Sequence, residues 1–188
     1  MVLTGGPGAG KTAVLDLVRV MFCDHVIVLP ESARLVYAGG FPRDDRVAVR
    51  RAGQRAIFHV QRELEAMGDV GHPAVVLCDR GTVDGAAYWP GPDDLFEELG
   101  TSLALQHERY DAVIHLRASS EAPRDLLRIE THAQAMAIDE RIASLWGGHR
   151  RSFTIPATPQ FLAKVLQALA LLRDEVPDCC RPPRLVLD

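Results

Sequence analysis

Gly5-Gly6-Pro7-Gly8-Ala9-Gly10-Lys11-Thr12 is the stretch whose reading decides the fold. It satisfies G-x-x-x-x-G-K-[ST], a loop whose glycines let backbone N–H groups turn inward as an anion-binding nest. In that pattern Lys11 reaches the β- and γ-phosphates of a nucleotide, and the Thr12 hydroxyl ligates Mg²⁺. The flanks agree with the motif. Val2-Leu3-Thr4 reads as a short strand, and Ala13 to Phe22 as a helix whose N-terminus faces the phosphates. Gly6, Gly8, Ala9, Gly10, Lys11 and Thr12 are therefore the expected nucleotide-binding residues.

Further strands and helices alternate along the chain. Val26–Leu29 is a second apolar strand running into Pro30-Glu31-Ser32-Ala33-Arg34, with Ser32 placed to cap a helix that ends near Ala38. Apolar residues at Val49, Ala52, Ala56, Val60, Leu64 and Met67 predict a core-facing helix from Arg46 to Met67. Ala74–Cys78 is an unbroken apolar strand of the kind buried in parallel sheets, and it delivers Asp79-Arg80-Gly81. Residues 82–100 contain Tyr88-Trp89-Pro90-Gly91-Pro92, read as an irregular segment, and a short helix around Asp93–Leu99; Thr101–Arg109 reads as a helix. Ala112–Leu116 and Phe153–Pro156 are strands four and five, the charged stretch 117–150 between them is read as largely helical, and Thr158–Arg173 is a closing apolar helix. Alternating strands and helices predict a single α/β domain over residues 1–174, with a doubly wound parallel sheet and a lid at about 117–150. Residues 175–188 read as a C-terminal tail, loosely ordered or packed on the surface.

The chain has 188 residues, 47% of them hydrophobic, enough for one sizeable core. Its net charge of −4 argues against a general nucleic-acid binder. No apolar run reaches the length of a membrane span, and the first strand starts at once, so neither a span nor a signal peptide is expected. Cys23, Cys78, Cys179 and Cys180 lack zinc-type spacing. The adjacent Cys179-Cys180 pair is read as reduced and the compartment as cytoplasmic.

Ligands of such sheets bind at the carboxyl ends of the strands, which brings together Gly5–Thr12, Pro30–Arg34 and Asp79–Gly81. Asp79 is the expected Mg²⁺-associated carboxylate; the other reading makes it a helix cap paired with Arg80. Arg80, where hydrolytic motors usually carry a second acid, favours transfer of a phosphoryl group over hydrolysis. Glu31 occupies the matching position after strand two, suited either to orient an acceptor hydroxyl and take its proton or to cap a helix. Arg124 and Arg128 stand four apart in the charged stretch, where a guanidinium suits a developing phosphoryl charge. Arg128, Glu130, Asp139 and Arg141 also fit a solvated ion-pair surface. Arg43, Arg46 and Arg50 are read as one helical face, and Tyr88 and Trp89 as acceptor-stacking or packed loop aromatics.

With these residues assembled, the chain resembles small bacterial phosphate-loop ATP-binding proteins of the AAA type, related to the kinase domains of bifunctional ribosylnicotinamide kinases. The resemblance runs from Val2 to Leu172. It rests on GGPGAGKT at 5–12, PESAR at 30–34, DRGTVDGAAYW at 79–89, RYD at 109–111, RIE at 128–130 and Ala137-Ile138-Asp139-Glu140-Arg141. More distantly, Glu31 and Asp79-Arg80 are similar to the acceptor-side acids and arginine of deoxynucleoside and thymidylate kinases. It implies a three-layer sandwich, strand order 2-3-1-4-5, and ATP and Mg²⁺ as cofactors. The expected function is transfer of phosphate to a hydroxyl of a small molecule, with a nucleoside the leading acceptor. A nucleotide-driven switch, of ATPase or GTPase type, and an antibiotic- or metabolite-modifying phosphotransferase are the alternatives; the absence of N/T-K-x-D weakens the GTPase form. A homodimer stays open.

Overall fold

The computed structural model describes residues 1–118 and 131–181. Five short strands, β1 (Val2–Thr4), β2 (Val26–Leu29), β3 (Val75–Asp79), β4 (Val113–Leu116) and β5 (Ser152–Ile155), form one parallel sheet in the order β2-β3-β1-β4-β5. This is the expected order. It puts the strand before the phosphate loop at the centre, with β3 on one side and β4 on the other.

Successive strand residues point to opposite faces, and the core divides accordingly. Leu3, Leu77 and Ile114 meet α1 (Lys11–Met21) and α8 (Phe161–Glu175) through Val14, Leu15, Val18, Val165, Ala168, Leu169 and Leu172. Their strand neighbours Val2, Cys78 and Val113 meet Val83, Ala87, Ile138, Ile142 and Trp146 on the other face. That second layer comprises α3 (Val47–Gly68), α4 (Asp84–Tyr88) and α7 (His132–Trp146). The helix α2 (Ser32–Ala38) packs on α3, and the short helices α5 (Leu95–Glu98) and α6 (Leu103–His107) lead towards β4.

Three local expectations are revised. The residue capping α2 is Glu31, while Ser32 is buried inside the first turn. Only Arg50 of the three early arginines lies on α3, because Arg46 is its N-cap and Arg43 precedes it. The chain beyond Asp174 is no surface tail either: α8 continues to Glu175, and Val176 and Cys180 are buried in the core; residues 182–188 lie outside the described residues.

The stretch read as a lid also divides. Its second half is α7, whose Ile142 and Trp146 are fully buried, so this part is a core helix. A capping box between Thr131 and Gln134 fixes where it starts. Arg124, Arg128 and Glu130 lie outside the described residues.

Leu77 sits fully buried on β3 beneath α1 and α8. Leu77→Ala is expected to destabilise the fold by about 2–5 kcal/mol through lost transfer energy and the cavity left behind. Urea unfolding monitored by circular dichroism checks this, and a loss below about 1 kcal/mol would mean that the layer collapses around the site.

Candidate functional site

The phosphate loop is built from backbone geometry that side chains cannot share. Gly5 has φ +141°, and a Cβ there would lie 2.1 Å from the Leu116 carbonyl oxygen. Gly10 has φ +97° and abuts Phe161 of α8. Lys11 begins α1 and is buried; its ammonium donates to the Gly5 carbonyl at 3.0 Å and lies 3.4 Å from that of Gly6. Burial, then the nearby Arg80 charge, lowers its pKa to about 8, against the pull of Asp79 and Glu31. Thr12 opens into the same cleft.

Register explains why the other candidates converge. Leu29 pairs with Cys78 and Leu3 with Asp79, so Glu31, two strands over from the loop, emerges beside Arg80, one strand over. Arg80 leaves β3 in the left-handed region at φ +70°, unusual for a side-chain-bearing residue. Its N–H donates to the Leu3 carbonyl at 3.0 Å, and its guanidinium then turns back along the cleft floor. Nε donates to Glu31 Oε1 at 2.7 Å, Nη1 to Asp84 Oδ1 at 3.2 Å, and the Tyr88 ring stacks 5.6 Å away. Burial disfavours the Arg80 charge, but Tyr88 and the three surrounding carboxylates outweigh it and raise its pKa. Burial likewise opposes the charge on Glu31, yet Arg80 and Lys11 hold that carboxyl below its ordinary value. The Arg80–Glu31 ion pair is thus formed, whereas Asp79 takes neither half of it. Burial raises the Asp79 carboxyl, partly offset by Lys11, and its Oδ1 is buried with no hydrogen-bond partner.

These residues line one cleft of about 1140 Å³, with Gly8, Lys11 and Thr12 on the loop side and Glu31, Arg34, Tyr88 and Arg50 on the other. Arg141 lines it from α7, exposed, and among the described residues is the arginine of the charged stretch that reaches the site. Trp89 is not available to stack on a ligand: it is buried beneath the Arg51 guanidinium, 5.0 Å from its ring. Gly6 is also engaged internally, its N–H donating to Asp139 Oδ1 at 2.7 Å.

Sequence reasoning missed the residues that hold this arrangement. Asp84 accepts from Thr4, Arg80, Gly81 and Trp146 and is 3% exposed. Its spacing of four from Arg80 on one motif was the available signal. Asp139, expected on a solvated surface, is fully buried; His115 Nε2 donates to Oδ1 at 3.0 Å, and Arg117 forms an ion pair with Oδ2 at 2.8 Å. Burial would raise its pKa, but the His115 and Gly6 hydrogen bonds prevail and lower it. A carboxylate on the apolar stripe of α7 and a histidine inside an apolar strand were the signs. Lys164 of α8, 4% exposed, donates to the Ala9 carbonyl at 2.8 Å and to that of Arg117.

With this geometry established, the relatives can be placed. A family model described as an AAA domain matches residues 1–160. The chain belongs to the AAA domain family. No curated protein sequence matches it. Among solved structures, this AAA domain protein is similar to deoxyadenosine kinase of M. mycoides, with TM-score 0.57 and 11% identity over 92% of this chain and 98% of that one. It is also similar to thymidylate kinase of Ehrlichia chaffeensis, with TM-score 0.52 and 16% identity over 92% and 96%. At these identities the likeness is one of fold. Among the described residues no helix is long and apolar enough to cross a membrane.

The low pKa of Lys11 would make nucleotide binding at this loop proton-linked. An arriving triphosphate favours the ammonium, so Lys11 is more basic in the complex than in the free protein. Below about pH 8 it is charged in both states. Above that, binding takes up a proton, and affinity should fall with rising pH by up to about tenfold per unit. Titration calorimetry in buffers of different ionisation enthalpy measures the uptake. Lys11→Ala should abolish it and weaken ATP–Mg²⁺ binding at neutral pH at least about tenfold, or about 1.4 kcal/mol.

Proposed function

We propose that this protein is an ATP- and Mg²⁺-dependent phosphotransferase acting on a hydroxyl of a small molecule, of the nucleoside class, in the cytoplasm. The observation that carries the reading is the division of the cleft: phosphate loop and Lys11 on one side, the ionised Glu31–Arg80 pair on the other, and Asp79 between. The kinases of similar fold and the motif set's resemblance to bacterial ribosylnicotinamide kinase domains support it.

Asp79 suits a cation because its buried Oδ1 lacks a donor, and Thr12 offers a hydroxyl into the same cleft. Together they would hold Mg²⁺, which neutralises charge on the donor phosphates when bound. Loop N–H groups and Lys11 orient the γ-phosphate. Glu31, kept ionised, accepts a hydrogen bond from the acceptor hydroxyl and aims its oxygen. As the new oxygen–phosphorus bond forms, the bond to the bridging oxygen breaks, ADP leaves, and the hydroxyl proton passes to Glu31. Arg80 fixes the Glu31 carboxylate and supplies positive charge at the acceptor side. Arg124 and Arg128 are assigned to the phosphates on their motif alone, with Arg141 available from α7.

Asp79→Asn should leave nucleotide bound while nearly abolishing turnover; near-normal Mg²⁺-dependent activity would reduce Asp79 to a structural role. Glu31→Gln keeps an oxygen for Arg80 but loses basicity. ATP affinity should stay within about threefold, below about 0.7 kcal/mol, while acceptor-dependent ADP release falls at least about 100-fold. Membership of the AAA domain family sustains ATP hydrolysis driving a switch as the second reading. Acceptor-independent ADP release that no nucleoside, sugar or metabolite stimulates would favour it.

A further inference from the structure

At the opposite end of the sheet from the phosphate loop, the fold assembles donors from the two extremes of the chain. Cys23 and His25 lie in the connection that leads into β2, and Cys179 and Cys180 form part of a 3₁₀ turn at Asp178–Cys180, after α8. The His25 ring nitrogen Nδ1 lies 3.6 Å from Cys23 Sγ, 4.0 Å from Cys179 Sγ and 3.9 Å from Cys180 Sγ. The two adjacent sulfurs are 3.6 Å apart, and the ligand atoms of Cys23, His25 and Cys180 lie within 4.8 Å of one another. Sequence spacing concealed this, because the partners stand 154 and 155 residues apart.

Those separations can be compared with a coordination sphere. Zinc binds thiolate at about 2.3 Å and imidazole at about 2.0–2.1 Å, so tetrahedral ligand atoms stand about 3.5–3.8 Å apart. The distances from His25 to Cys23 and Cys180 are within a few tenths of an ångström of that, while Cys179 stands outside the group. Two sulfurs and one imidazole nitrogen select a soft or borderline cation such as Zn²⁺ over Mg²⁺. Cys180 is 2% exposed and Cys23 half-buried, while His25 and Cys179 face solvent, which gives a cation a way in.

We propose that Cys23, His25 and Cys180 bind zinc and so clasp the turn after α8 to the entrance of β2. The ligands join two distant parts of the chain, so the role is structural, and the site is separate from the Asp79–Thr12 side of the cleft.

The test is titration of the reduced full-length protein with cobalt(II), followed by displacement with zinc(II). A single equivalent should give the absorption of a tetrahedral thiolate–cobalt complex, and zinc should erase it. Loss of an outer-shell partner alone costs about 10–100-fold in affinity, so His25→Gln and Cys23→Ser should each cost at least about 100-fold. His25 is exposed, and His25→Gln therefore tests the ligand set without opening the core. Zinc should raise the unfolding temperature of the wild type and of Asp79→Asn, but not of His25→Gln. Octahedral cobalt spectra, or variant affinities equal to the wild type, would overturn the site. So would a Cys23–Cys180 or Cys179–Cys180 disulfide found by mass spectrometry in freshly purified protein.

Discussion

A carboxylate that water cannot reach must be surrounded by donors, and the architecture of the cleft follows from how Asp84 meets that demand. It draws a hydroxyl from β1, a guanidinium and a backbone N–H from the exit of β3, and an indole N–H from α7. Removing any one would leave a buried acceptor short, at a cost of about 1–3 kcal/mol. Asp139 plays the matching part on the other flank of β1, joining the phosphate loop, β4 and α7. The strand before the loop and the loop itself are thus held from both sides by buried carboxylates, Asp139 taking the Gly6 N–H.

This arrangement also explains the character of Lys11. It is buried among partners that leave its charge only partly compensated, and it rests on the loop's own carbonyls. A triphosphate would relieve that position. On the acceptor side the opposite holds, since Arg80 and Glu31 already satisfy one another. One half of the cleft thus holds a partly uncompensated ammonium, and in the other Arg80 and Glu31 neutralise one another.

Much of the fold was legible because its signals are local. The strands are short runs and α3 is a long periodic segment, so type and order followed from periodicity and motif. The face that α3 buries was not legible: it carries Gln54, Phe58 and Gln61, while Met67 of the expected stripe is exposed. Nor were the cap of α2 and the helix α4, because capping and the burial of Ser32 and Asp84 depend on tertiary neighbours. Lys11, Glu31, Asp79 and Arg80 could be named since each ends a recognisable strand or loop. Asp139, His115 and Lys164 could not, because a polar residue on an apolar face declares only that it has a partner, not which one. Trp89 shows the converse: an aromatic in a loop motif turned inward under Arg51.

Lys164 binds the carbonyl of Ala9, so the last helix completes the first loop. A ribosome makes these two parts in the wrong order for a local nucleus. The nascent chain carries every residue of the phosphate loop from the outset, yet that loop lacks its brace until α8 has left the exit tunnel. A chain that stops before α8 therefore carries the intact signature motif without the contact that braces it.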